Sequence, residues 1–126
     1  MTRQAYNSEN ILASGPYSHA VDAGDLVFLS GQTPKNSASR EIVQGGIKEQ
    51  TKQCFKNLFD VLKAANLTPD DVIKVNVYLT DMNNFKDMNE VYEEQFSKPY
   101  PARTTIAVLA LPLGAEVEIE MIAKRP

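Results

Sequence analysis

Residues 101–109 read PARTTIAVL and residues 116–123 read EVEIEMIA. Both runs alternate with period two, the pattern of β-strands. In the first, Arg103, Thr105, Ala107 and Leu109 share one face, and Thr104, Ile106 and Val108 share the other. In the second, Val117, Ile119, Met121 and Ala123 alternate with Glu116, Glu118, Glu120 and Ile122. Only the short connector ALPLG, residues 110–114, separates them, so an antiparallel hairpin is expected. With the turn near Pro112, Thr105 falls opposite Glu118 and Arg103 opposite Glu120. One guanidinium, one hydroxyl and two carboxylates would then share a patch of sheet, and function is expected there.

Upstream, residues 72–80 form the clearest single strand: Ile73, Val75, Val77 and Leu79 on one face, Lys74, Asn76, Tyr78 and Thr80 on the other. A helix over residues 46–65 is expected from the spacing of Ile47, Cys54, Leu58, Val61, Leu62 and Ala65, with Asn66 as a left-handed stop. Phe85, Met88, Tyr92 and Phe96 give a second helix its apolar stripe after the capping run Asp81-Met82-Asn83-Asn84. Asn89 sits one residue off that stripe. Ahead of both helices, residues 18–21 and 25–30 read as strands about an Asp-Ala-Gly-Asp turn. The segment Leu26-Val27-Phe28-Leu29 is apolar throughout, so burial on both faces is expected. Gly31 closes that strand, where glycine marks a close approach of other groups. Residues 6–13 read as a polar lead-in and residues 33–40 as a surface loop. Gly15-Pro16 stiffens the chain before Tyr17, which either faces outward or plugs the edge of the core.

The order β-β-(β)-α-β-α-β-β predicts one α+β domain over residues 1–126, a sheet with both helices on one face. Strands apolar on both sides would leave the second face wet in a lone chain, so a closed homo-oligomer is expected.

The whole chain carries a net charge of −3 and a 43% apolar fraction, which suits a globular domain and gives no basic footprint for nucleic acid. No apolar run is long enough to span a bilayer, and the first ten residues, MTRQAYNSEN, lack a secretory leader's apolar stretch. Cytoplasm is the expected compartment. One cysteine and one histidine rule out an internal disulfide and offer no good metal-ligand set. Cys54 lies on the buried stripe and reads as a small hydrophobe; His19 reads as a surface or turn residue. Neither nucleotide-phosphate glycine motif is present, and no cofactor is expected. Arg103 is open to two readings: a structural ion pair with Glu118 or Glu120, or a fork for the carboxylate of a small acid.

Gly15-Pro16-Tyr17-Ser18, Ser30-Gly31-Gln32, Asp81-Met82-Asn83-Asn84-Phe85, Met88-Asn89-Glu90-Val91-Tyr92, Pro101-Ala102-Arg103, Leu111-Pro112 and Val117-Glu118-Ile119-Glu120 together resemble the RidA (YjgF) family, from near Ser14 to Arg125. The resemblance implies a chorismate-mutase-like α+β fold, a homotrimer with sites between subunits, and hydrolysis of 2-iminopropanoate or 2-iminobutanoate to the 2-keto acid and ammonia. It implies that Arg103 holds the substrate carboxylate and that Glu118 positions or activates water, with Tyr17, Gly31 and Asn89 lining the pocket. Many members carry cysteine where this chain has Thr105, so a thiol-dependent mechanism is not expected here; the Thr105 hydroxyl can bond a carboxylate instead. The competing implication is a non-enzymatic 2-keto-acid binder, a chaperone-like protein, or a translation inhibitor with ribonuclease activity.

Overall fold

Val72–Leu79 forms an eight-residue strand paired on both sides, one place in from the edge of the sheet. The computed structural model describes residues 2–11 and 15–126. Met1 and residues 12–14, where the lead-in ends and the family-like stretch begins, lie outside the described residues. Eight principal elements follow in order: β1 (Gln4–Tyr6), β2 (Ala20–Ala23), β3 (Leu26–Gln32), α1 (Ile47–Ala64), β4 (Val72–Leu79), α2 (Phe85–Gln95), β5 (Ala102–Ala107) and β6 (Val117–Lys124). The six strands form one sheet in the order β1-β2-β3-β6-β4-β5. All pairings are antiparallel except β4 with β5. The expected α+β sheet with two helices is therefore present, with β1 added ahead of it. Asn66 does adopt the left-handed conformation, at φ 60°.

The expected hairpin between residues 101–109 and 116–123 does not form. β5 runs parallel to β4 at the sheet edge, with Arg103 level with Val75 and Thr105 level with Val77. β6 instead inserts between β3 and β4, placing Tyr78 beside Glu118 and Asn76 beside Glu120. The connector turns through a short 3₁₀ segment, Pro112–Gly114, with Leu113 at φ 60°. It carries the chain over to β6 rather than folding it back on β5. The central position goes to the strand that buries a full apolar face: Val117, Ile119, Met121 and Ala123 are all buried. β5 offers no such face and stays at the edge.

The helices cover one face. Val27, Leu29, Val75, Val77 and Leu79 join the β6 side chains beneath Cys54, Phe55, Leu58, Val61 and Leu62 of α1. Burying each of the larger aliphatic side chains contributes roughly 1.5–3 kcal/mol. Two register shifts adjust the pattern. One between Val72 and Lys74 turns Ile73 outward, 43% exposed, and lets Val72 take the core position expected of Ile73. The other, between Leu29 and Gln32, falls on Ser30-Gly31 and reaims the end of β3. Within β3, Val27 and Leu29 point inward but Phe28 is 46% exposed, so within one chain this strand is buried on one face only. Phe28 and Ile106 leave apolar surface on the side opposite the helices.

Candidate active site

Arg103 stands on the helix-covered side of β5, because its sheet neighbour Val75 points into that core. Its guanidinium lies over the ring of Tyr92, 4.6 Å from the centroid, with Phe85 at 5.5 Å. Nη1 donates to Asn89 Oδ1 at 2.6 Å. Met88 and Tyr92 bury the inner stripe of α2, which leaves Asn89 at its margin to reach the guanidinium. Among the described residues Arg103 forms no ion pair; the two pairs present are Lys48–Glu90 and Arg125–Asp22. The expected structural partners, Glu118 and Glu120, are thus not used by Arg103. A cleft of about 370 Å³ opens beside it, lined by Asn89, Tyr92, Glu93, Tyr100, Pro101 and Arg103. Thr105, two residues on and facing the same way, holds a buried hydroxyl without a hydrogen-bond partner.

Glu118 and Glu120 project from the other face of the sheet, alternating with buried Val117, Ile119 and Met121. Their surroundings differ. Glu120 Oε1 accepts from Asn76 Nδ2 at 3.2 Å and from the Tyr78 hydroxyl, a bond that pushes the Tyr78 pKa up to about 12. Glu118 has no such bonds. Burial raises its pKa, and the nearby Glu120 charge raises it further. A carboxylate left unpaired, with its pKa raised by burial, is suited to taking and returning a proton. Its place depends on Gly31: a Cβ there would stand 2.5 Å from Glu118 Oε2. Tyr17, Gly31, Lys35, Leu113 and Glu118 line a second cleft of about 510 Å³.

The six residues singled out from sequence therefore fall into two groups. Arg103, Thr105 and Asn89 meet on the helix side at the sheet edge; Tyr17, Gly31 and Glu118 meet on the open side. Tyr17 is 44% exposed, which answers its open alternative in favour of presentation. Lys35 and Tyr92 join the clefts without having been picked out for a site role; Tyr92 carried only a core signal in the sequence. His19 corrects its expectation: it is buried, not on the surface. Its Nδ1 accepts from the Ser8 backbone N–H at 3.0 Å, and burial, then Lys35, lowers its pKa. Cys54 is fully buried, and burial pushes its thiol pKa well up, as befits a core residue. No group of three or more potential metal-ligating side chains occurs among the described residues.

Residues 7–125 match the family Ribonuc_L-PSP, described as Endoribonuclease L-PSP. A RutC family protein of Pyrococcus horikoshii is 50% identical over 109 residues, covering 86% of each chain. A mouse protein named 2-iminobutanoate/2-iminopropanoate deaminase is 45% identical over 111 residues, covering 88% of this chain and 82% of the mouse protein. The crystal structure of RidA from an Antarctic Psychrobacter superposes with a TM-score of 0.92 at 41% identity, covering 97% of this chain and 99% of that one.

Proposed function

We propose that this chain, which belongs to the Endoribonuclease L-PSP (RidA/YjgF) family, is a 2-iminobutanoate/2-iminopropanoate deaminase. The observation that carries this reading is the state of Arg103: a guanidinium seated on an aromatic ring, oriented by Asn89, facing a cleft and paired with no carboxylate. An arginine held in that way is a vacant fork for a carboxylate. A small 2-imino acid supplies one. The Thr105 hydroxyl, unpartnered in the chain, adds a further hydrogen bond to the same group.

The chemistry asked of the site is modest. An iminium carbon beside a carboxylate is electrophilic. Water adds to that carbon as one of its protons passes to Glu118, which returns that proton to the nitrogen. The C–N bond then breaks as the remaining hydroxyl gives up its proton through Glu118 to the departing ammonia, leaving ammonium and the 2-keto acid. Arg103 retains its proton throughout and serves as anchor and charge sink. Glu118 is preferred to Glu120 as the proton carrier, since Glu120 is already engaged by Asn76 and Tyr78. Holding acid and water together can remove several kcal/mol of barrier.

Arg103 and Glu118 lie on opposite faces of one sheet, so the reading requires two copies: the Arg103 half of one and the Glu118 half of the next, in a closed homotrimer. The exposed Phe28 and Ile106 support such an assembly by giving it apolar surface to bury. We place the protein in the cytoplasm; none of its described helices is long and apolar enough to cross a membrane. RNA as substrate is disfavoured by a net charge of −3, which offers few phosphate contacts.

The test couples an amino-acid oxidase or dehydratase that releases the imine to chemical trapping of what remains. The protein should speed imine loss and Arg103→Ala should abolish the effect. No acceleration by the wild type refutes the deaminase reading; full rate in Arg103→Ala refutes the anchoring role.

A further inference from the structure

Tyr92 occupies a place that phenylalanine would fill equally well for packing. Its ring meets Phe55 at 5.7 Å and Phe96 at 5.3 Å, and it carries the Arg103 guanidinium at 4.6 Å. The residue is 4% exposed, and its hydroxyl is buried with no hydrogen-bond partner. A buried hydroxyl without a partner is destabilising, since it has given up water for nothing. The Phe55 and Phe96 side chains packed on its ring offer it no acceptor. Tyr92 lines the cleft together with Asn89 and Arg103, so a ligand seated there is the candidate source of an acceptor. Burial raises the phenol's pKa, and the smaller effect of the Arg103 charge opposes this, so the group remains an O–H donor at working pH.

We propose that the Tyr92 hydroxyl is a substrate-binding group that donates to a carboxylate oxygen held by Arg103. The choice of a 2-keto or 2-imino acid as ligand rests on the deaminase reading; the anion site itself does not. Tyr92 then acts twice, its ring fixing the plane of the guanidinium and its hydroxyl adding a bond from a second direction. Asn89 fixes the same guanidinium from a third side. Such a grip favours a planar carboxylate over its neutral carboxamide, which presents an NH₂ where the site expects an acceptor.

Calorimetric titration of wild type, Tyr92→Phe and Arg103→Lys with 2-ketobutanoate and with its carboxamide tests this. Tyr92→Phe should melt no lower than wild type, bind 2-ketobutanoate about tenfold more weakly, and bind the carboxamide with little change. Its preference for acid over amide should shrink accordingly. Unchanged affinity for the acid overturns the proposal, as does equal weakening of acid and amide, and as does a wild type that binds neither. A wild type that binds 2-ketobutanoate through Tyr92 but leaves imine loss unaccelerated supports this assignment and refutes the deaminase reading, so the two failures are distinguishable.

Discussion

Arg103 and Glu118 stand on opposite faces of the same sheet. Arg103 is level with Val75, whose side chain is buried under the helices, whereas Glu118 is level with Tyr78 on the uncovered side. A single chain thus cannot bring the two groups to one substrate. If both act in one reaction they come from different copies. Arg103→Ala and Glu118→Ala, each inactive alone, should then complement one another when unfolded together and refolded as a mixture. Random assembly in a ring places an intact Arg103 half against an intact Glu118 half at roughly a quarter of the interfaces. Recovery near that fraction of wild-type activity is expected. Absence of any recovery, with normal assembly verified by light scattering, would show that the halves do not share a site.

Gly31 is the residue whose substitution should test the placement of Glu118 most directly. It sits at the register shift of β3, and a methyl group there would stand 2.5 Å from Glu118 Oε2 and 3.1 Å from its Cδ. The obstructing group is the far end of a flexible side chain, so the carboxylate rather than the backbone should yield. Gly31→Ala is expected to keep its melting temperature within a few degrees while losing on the order of 10²-fold in kcat, the effect of misplacing a reacting group by about 1 Å. A large fall in stability, or unchanged kcat, would contradict this.

The chain's own pattern made the elements legible but not their neighbours. The β4 and β6 alternations and the α1 stripe identify the core because side-chain period follows directly from backbone geometry. Pairing does not follow in that way. Proximity in sequence pairs the strand of residues 101–109 with the next strand, whereas β4 accepts β5 in parallel and gives its other edge to β6. That choice depends on which strand can bury a full apolar face between two neighbours, a property of the whole sheet. The difference reaches the site: a hairpin places Arg103 beside Glu120, and the parallel edge puts it against Asn89 and Tyr92 instead. Arg103, Thr105 and Glu118 stand out from the alternation alone. Their roles, and the pocket places of Tyr17, Gly31 and Asn89, follow from motif resemblance, which needs no knowledge of pairing. His19 is buried and bonded to the Ser8 N–H eleven residues earlier, a contact that periodicity does not reveal.

His19 is the only histidine, so its ring can be followed by NMR without ambiguity. Nδ1 accepts from the Ser8 N–H, which assigns the proton of the neutral ring to Nε2. Burial lowers its pKa and the Lys35 charge lowers it further. The ¹⁵N shifts should therefore report the Nε2–H tautomer, with a titration midpoint below the usual 6.5. A depressed histidine pKa means that the unfolded chain binds more protons than the folded one. Its contribution to stability is present above the unfolded pKa and is lost as pH falls through 6.5 toward the folded value. A midpoint at or above 6.5 would contradict the buried, Ser8-bonded ring.

Glu118 has the opposite sign of linkage, and this separates its role in catalysis from its effect on the fold. Burial, then the Glu120 charge, raises its folded pKa, so the folded chain holds this proton more tightly than the unfolded chain. The associated stability is present below the unfolded pKa and is lost as pH rises through the folded value. Glu118→Gln, which never charges, should accordingly be the more stable protein at pH 8, and the difference should narrow as pH is lowered toward 4. Activity should run the other way. The carboxylate form is needed to take a proton from water, so wild-type kcat/KM should fall on the acid side at a pH above the ordinary glutamate range, and Glu118→Gln should lose both rate and acid limb. Thermal melts and rate profiles over the same pH series check both signs. A variant less stable than wild type at pH 8, or one that retains the acid limb, would mean that the rate reports another group.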